Sequence, residues 1–242
     1  MDHSPLEQFK VIQLMKLSAF GLDFSLTNAA AFLILATVSW TMLLLFAMRK
    51  ASLIPSNKQV LVELVYNFVC DMLQSTAGHK GKKFVPLIFS IFAFVLACNS
   101  IGMIPCSFAT TSHIAITFTM ASIIFIIVSA VGIFSHGWKF FKLFLPSGCP
   151  WWISPILIVI ELFSFLSRPF SLALRLAANV TSGHVLLHIV AWGTANVLIA
   201  IKFFPFLLLA FLMCLEFGVA ILQAYIFSVL SCVYLGDVLN LH

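Results

Sequence analysis

Ionisable and amide side chains lie inside one of the most apolar parts of this chain. The stretch SLALRLAANVTSGHVLLH, residues 171–188, contains Arg175, Asn179, His184 and His188. An arginine stays charged at physiological pH, and at the centre of a bilayer it costs about 2.5–3.5 kcal/mol on insertion scales. Histidine, in contrast, gains and loses a proton near neutral pH. The combination predicts proton transfer beside a fixed positive charge. The alternative is an arginine that is paired inside a helix bundle for assembly alone.

Two rows of polar residues share spacings that are multiples of seven, which places each row on one slowly drifting helix face. The rows are Glu161, Arg168 and Arg175, and Glu216, Gln223 and Asp237. If the two helices pair antiparallel around a turn near residue 199, the polar residues form three layers. The outer layer holds His184, His188 and Glu216, the middle layer Arg175, Asn179 and Gln223, and the inner layer Glu161 and Asp237. Titratable groups on both sides of a fixed cation predict two proton paths that do not join, because the cation repels a passing proton.

The two histidines also raise the question of a bound metal or haem. His184 and His188 are four residues apart, a spacing that suits a pair of metal ligands. Together with Glu216 they form only a weak metal motif, because two histidines and one presumed carboxylate leave the coordination incomplete. They also lack the pattern of paired haem ligands. The sequence therefore predicts a proton relay, with no cofactor and no metal.

Four other polar residues are open to more than one interpretation. Asp237 could line the inner path or be an ordinary residue at the membrane surface. Arg168 could neutralise Glu161, which lies seven residues before it. For Asn99 and His113, packing is favoured over a part in the outer path.

The composition excludes an ordinary soluble domain. Of the 242 residues, 62% are hydrophobic and only 9% are charged, whereas charged residues make up about a quarter of a soluble domain. The sequence therefore predicts an all-α polytopic membrane protein in which most lysines and arginines lie in short loops. For this reason the formal net charge of +5 does not indicate a nucleic-acid partner.

Five apolar stretches are long enough to cross a bilayer, which requires about 20 residues of helix. They are residues 28–48, 85–105, 113–135, 151–190 and 195–237. The last two exceed the bilayer thickness, so they must tilt or kink, and we expect them to pair as a hairpin. Residues 58–74 show apolar and polar faces at helical spacing, which predicts an amphipathic helix at the membrane interface. No internal repeat divides residues 1–242, so we expect a single membrane domain.

The distribution of basic residues predicts the orientation of the chain. Short loops on the inner side of a membrane carry more lysine and arginine than loops on the outer side. If all five helices cross, one side receives Arg49, Lys50, Lys58, Lys80, Lys82, Lys83, Lys139 and Lys142, and the other receives Lys10, Lys16 and Lys202. The first set then lies inside, with the N-terminus outside and the C-terminus inside. We expect no cleavable targeting segment in MDHSPLEQFKVIQLMKLSAF, because it has neither a clean apolar core nor an Arg-rich pattern.

The motifs around these polar residues resemble a known family. SLALRLAANVTSGHVLLH and LEFGVAILQAYIFSVLSCVYLGDVLNLH, residues 215–242, are similar to the two C-terminal motifs of subunit a of the F-type ATP synthase, also called subunit 6. VELVYNFVCDMLQ and ACNSIGMIPCSFATTSHIAITF also look like this family, so the resemblance covers nearly the whole chain. The SGHVLLH form is similar to the mitochondrial and related bacterial branch, in which histidine rather than glutamate follows the turn that bears the arginine.

This resemblance implies a mechanism. In the family, the two long helices curve around a rotating ring of c subunits, and an arginine at the position of Arg175 faces the ring carboxylate. Protons reach that carboxylate through one half-channel and leave it through another. The roles implied are an electrostatic gate at Arg175 assisted by Asn179 and Gln223, an outer path along His184, His188 and Glu216, and an inner path along Glu161 and Asp237.

The resemblance also implies where the protein works and with what. It predicts a proton-conducting stator subunit, not an enzyme as an isolated chain, in the mitochondrial inner membrane, with its N-terminus in the intermembrane space and its C-terminus in the matrix. Expected partners are the c-ring, the other stator and peripheral-stalk subunits and lipids such as cardiolipin, and protons are favoured over Na⁺. Two rival classes are a secondary transporter, which would need inverted halves and broken helices, and a non-conducting structural subunit of a respiratory complex.

Overall fold

Most of the described residues lie in helices. A computed structural model describes residues 10–16, 18–19, 22–23, 25–49, 52–104, 107–138, 140, 152–195 and 203–239. Within these residues the helices are α1 (Asn28–Met48), α2 (Asn57–Ala77), α3 (Val85–Gly102), α4 (Ile114–His136), α5 (Ser154–Ala195) and α6 (Phe203–Leu239). Short 3₁₀ turns precede α3 (His79–Phe84) and α4 (Thr110–Ser112). The all-α fold class predicted from the sequence is confirmed.

Five of these helices are long and apolar enough to cross a membrane. They are α1, α3 with the turn before it, α4, α5 and α6, and they make this chain a multi-pass membrane protein. α5 and α6 have 42 and 37 residues, which corresponds to about 63 and 56 Å at 1.5 Å per residue. Both lengths exceed a hydrocarbon layer of about 30 Å, as the sequence predicts.

Prolines mark the start of three helices. Pro86, Pro155 and Pro205 lie in the first turns of α3, α5 and α6, where a missing N–H breaks no helical hydrogen bond. Within the described residues α6 spans Phe203–Leu239, whereas the sequence prediction began at residue 195, which belongs to α5. α5 begins three residues later than predicted and extends past residue 190 to Ala195. Residues 196–202 lie outside the described residues, as do Lys50, Lys139, Lys142 and Lys202, which entered the orientation prediction.

α2 forms over residues 58–74, which the sequence predicts as an amphipathic helix, but only part of the predicted apolar face is buried. Val69 and Leu73 are fully buried, whereas Leu64 is exposed. The helix ends at Gly78, whose φ of 67° suits glycine and whose N–H donates to the carbonyl four residues earlier. The position of α2 at a membrane interface stays a prediction.

The contacts within the chain define two compact units. The first contains Met1–Phe46, Ala93–Ile114 and Leu176–Tyr225. In its core Ala36 of α1 packs against Cys98 of α3. Both α5 and α6 contribute a segment to each unit, and the prediction of a single membrane domain stays a prediction.

A short strand segment precedes α1 in this first unit. Its strands pair antiparallel, β1 (Gln13–Met15) with β4 (Leu26–Thr27) and β2 (Ser18–Ala19) with β3 (Leu22–Asp23). The Asn28 side chain joins the segment to α1, because its Oδ1 accepts a hydrogen bond from the N–H of Ile12 and its Nδ2 donates to the carbonyl of Lys10, both at 3.2 Å. The sequence analysis does not predict these strands, since two or three residues are too few for a recognisable alternation.

The second unit contains Ala47–Phe92, Ala115–Arg175 and Ile226–His242. Aromatic rings fill much of its interior, and the ring centroids of Phe125 on α4 and Phe165 on α5 lie 4.8 Å apart. Such ring pairs add to the stabilisation that burial of apolar area provides. This unit therefore fixes the first half of α5 against α4.

A close approach at Gly236 gives a test of the packing in the second unit. A Cβ added there would lie 2.9 Å from the carbonyl oxygen of Thr76 at the end of α2. Because a backbone atom cannot rotate away, we expect Gly236→Ala to lower the stability by about 1–3 kcal/mol, measured by thermal unfolding of the purified protein. Gly218→Ala on the same helix is the control, since a Cβ there meets nothing within 4 Å. Equal melting temperatures for the two variants would contradict this packing.

Candidate functional site

A histidine and a carboxylate face each other between α5 and α6 in the first unit. Nε2 of His184 lies 3.8 Å from Oε1 of Glu216, and both side chains are nearly buried. The approach depends on Gly183, because a Cβ added there would lie only 2.7 Å from the same Glu216 oxygen. A histidine beside a buried carboxylate can pass a proton to it through a hydrogen bond or a single water.

Three amide side chains lie next to this pair and link α3, α5 and α6. Nδ2 of Asn179 donates a hydrogen bond to Oε1 of Gln223 at 2.9 Å. Nδ2 of Asn99 on α3 donates to the carbonyl of Ala220 at 3.2 Å. Positions that rise along α5 contact positions that fall along α6, from Asn179 with Gln223 to His184 with Glu216. The antiparallel hairpin predicted for the last two helices is therefore present in this unit.

Several polar atoms in this cluster are buried without a hydrogen bond to any described residue. They are both carboxylate oxygens of Glu216, Oδ1 of Asn99 and Nε2 of Gln223. Buried polar atoms nearly always have a partner, and exceptions occur at functional sites or where water binds. A cavity of about 20 Å³ lies between these side chains, which is enough space for about one water molecule. The cluster can therefore exchange hydrogen-bond partners.

A larger cavity lies on the other side of His184. Its volume is about 590 Å³, and His184 and His188 line it together with Lys10, Asn28 and Ser107, while its other walls are apolar. His184 thus lines both cavities. Such a shared wall allows a titratable ring to connect an open space with the buried cluster.

The polar residues of the second unit are arranged differently. Nη1 of Arg168 lies 2.8 Å from Oδ2 of Asp237. Glu161 is half-buried and makes no hydrogen bond or ion pair with a described residue. Arg168 therefore pairs with Asp237, whereas the sequence analysis considered it a partner of Glu161 and expected Glu161 to face Asp237.

Arg175 lies on the outward face of α5. It is exposed, whereas Leu172 and Leu176 on either side of it are buried. It has no hydrogen bond or ion pair with a described residue. This position does not favour an arginine that is paired inside its own bundle, which was the alternative considered from the sequence.

The remaining sequence candidates fall into two groups. Among the described residues, no cluster of three or more histidine, cysteine, aspartate or glutamate side chains could hold a metal ion, so His184, His188 and Glu216 do not form such a set. His113 stacks on Phe108 with ring centroids 5.2 Å apart. Asn99, for which the sequence favoured packing, lines the small cavity with His184 and Glu216. The sequence feature that could have indicated a functional role for Asn99 is an amide side chain within a largely apolar helix.

Apolar helices long enough to cross a bilayer, with titratable groups and cavities between them, define a membrane protein that moves ions or protons. A family described as ATP synthase A chain matches residues 29–236, and this chain belongs to that family. It is therefore the proton-translocating a subunit of the ATP synthase Fo sector, which works with the c-ring. The subunit is not itself catalytic, although the complex is an enzyme.

The contact at Gly183 gives a test of the outer cluster. We expect Gly183→Ala to displace the Glu216 carboxylate and to reduce ATP-driven proton pumping at least about tenfold, since small misplacements of reacting groups have large kinetic effects. Gly193→Ala on the same helix is the control, because a Cβ there meets nothing within 4 Å. Pumping is measured in proteoliposomes and normalised to assembled complex. Equal pumping by both variants would show that this contact is not needed.

Proposed function

We propose that the chain supplies two offset half-channels to the c-ring and that Arg175 separates them. The observation that carries this proposal is an exposed arginine on an apolar helix that lacks a counter-ion among the described residues. Because a guanidinium in an apolar layer needs a carboxylate or water nearby, the ring carboxylate is its partner. The attraction keeps each arriving carboxylate ionised, so that it releases its proton before it passes.

The outer half-channel runs from the large cavity to the hydrogen-bonded amides of Asn179 and Gln223. Protons enter where His188 and His184 line the cavity of about 590 Å³. They pass from His184 to Glu216, whose carboxylate is 3.8 Å away, through the small cavity that Asn99 also lines. Gln223 and Asn179 orient water or the guanidinium of Arg175. The step from His184 to Glu216 joins two groups that are within reach of one another through one water.

The inner half-channel uses Glu161. This carboxylate is half-buried and without a hydrogen bond or ion pair among the described residues, so it is able to accept a proton and release it. Asp237, predicted beside it, is engaged by Arg168 and is considered separately below. The positive charge of Arg175 prevents protons from moving directly between the two paths, because like charges repel strongly in a medium of low dielectric constant.

The setting follows from the sequence patterns. The SGHVLLH motif supports the mitochondrial inner membrane, and the excess of basic residues on one side supports an N-terminus in the intermembrane space and a C-terminus in the matrix. Other stator and peripheral-stalk subunits, and lipids such as cardiolipin, complete the environment. The match to the ATP synthase A chain family argues against the two rival classes, a secondary transporter and a non-conducting structural subunit.

The central test removes the charge of Arg175. In proteoliposomes that contain the whole complex, we expect Arg175→Ala to abolish ATP-driven proton pumping and ATP synthesis while the complex stays assembled. A passive proton leak is expected as well, because the barrier between the two paths is gone. Arg49→Ala, which removes an exposed arginine after the end of α1, is the control and should pump normally. Coupled pumping near the wild-type rate in Arg175→Ala would refute the mechanism.

A further inference from the structure

The Arg168 side chain makes several contacts within the second unit. Besides its contact of 2.8 Å with Asp237, its guanidinium carbon lies 5.5 Å from the ring centroid of Phe165 and 5.0 Å from that of Tyr234. Arginine over an aromatic face is attracted by the ring electrons, and its hydrogen bond to a carboxylate is charge-assisted. One side chain of α5 therefore has three contacts, two of which reach α6.

These contacts lie beside a proline inside α5. Pro169 is inside the helix. Because proline has no backbone N–H, it donates no hydrogen bond to the carbonyl of Phe165, and the proline ring crowds the preceding turn. The residue before a proline also disfavours the helical conformation, and that residue is Arg168. The contacts of Arg168 with Asp237, Phe165 and Tyr234 compensate for the missing backbone hydrogen bond.

The partner on α6 is fixed as firmly. Gly236, next to Asp237, approaches the backbone of Thr76 so closely that a Cβ would not fit, and Val238 on the other side is fully buried. Asp237 is thus presented to Arg168 by a rigid helix end. Oδ2 of this carboxylate is engaged by Arg168, while 40% of the Asp237 side chain stays exposed.

We propose that Arg168 and Asp237 form a positioning clamp, with Phe165 and Tyr234, that fixes α5 to α6 beside Pro169 and does not carry protons. The proposal rests on the proposed function, because the clamp lies two helical turns before Arg175 and serves to hold that part of α5 in place. It assigns Asp237 a role other than the inner path and leaves Glu161 as the carboxylate of that path. Arg168 is a positioning residue.

A double-mutant cycle in the assembled complex tests the clamp. Arg168→Gln and Asp237→Asn each leave a partly buried partner unpaired, so each alone should lower ATP-driven pumping per assembled complex about fivefold or more. The variant with both changes should pump within about twofold of wild type, because no unpaired charge remains. The reversed pair, Arg168→Asp with Asp237→Arg, should also recover. A merely structural role would lower the amount of assembled complex but not the pumping per complex.

The controls separate this inference from the function on which it rests. Asp71→Asn removes an exposed carboxylate on α2 in the same unit and should pump like wild type. If Asp237→Asn and the double variant are equally inactive, Asp237 carries protons and the clamp is refuted. If both single variants pump normally, the clamp is refuted as well. Arg175→Ala is measured in parallel, since its coupled pumping reports on the proposed function whatever the cycle shows.

Discussion

A permanent positive charge on an apolar helix sets the main requirement that the rest of this chain must meet. Desolvating a guanidinium is costly, so Arg175 needs an anion or water beside it. Its neighbours Leu172 and Leu176 are buried and Arg175 itself is exposed, so the helix directs the charge away from its own packed face. The cation is therefore available to a group on another chain, and a group that arrives and leaves is compatible with rotation. An internal ion pair would hold the charge permanently.

The cluster around Glu216 meets a different requirement. A buried carboxylate without a hydrogen bond is unfavourable, yet both of its oxygens lack one among the described residues, and Asn99 and Gln223 each contribute an unsatisfied atom nearby. Real proteins tolerate such arrangements mainly at functional sites. A carboxylate whose oxygens all accept hydrogen bonds from its own chain would be a poorer proton acceptor, because those bonds stabilise its charged form. The unfavourable burial of Glu216 therefore supports the outer path that we propose.

Much of this could be predicted from the sequence, for identifiable physical reasons. Apolar length predicted five membrane helices, and an antiparallel turn near residue 199 brought His184 within about a turn of Glu216, which the structure places 3.8 Å apart. The partner of Asp237 was harder to predict, because residues seven apart drift by about 20° per repeat on a straight helix and Pro169 removes one backbone hydrogen bond inside α5. Whether Glu161 or Arg168 contacts Asp237 then depends on how the helices pack. The role of Asn99 depends on a contact with α6, which a single apolar helix does not reveal.

The same side-chain types serve two purposes in this chain, and hydrogen-bond satisfaction distinguishes them. Arg168 and Asp237 satisfy each other at 2.8 Å, so exchanging a proton would first require breaking a charge-assisted contact. Glu161 has no hydrogen bond or ion pair with a described residue, and the Glu216 oxygens accept no hydrogen bond from one, His184 lying 3.8 Å away. Neither carboxylate is therefore held by a contact as close as that of Asp237. A proton-conducting subunit needs both kinds of group, because half-channels work only if the helices that carry them keep their positions. We therefore expect the satisfied pairs to set the geometry and the unsatisfied carboxylates to carry the protons.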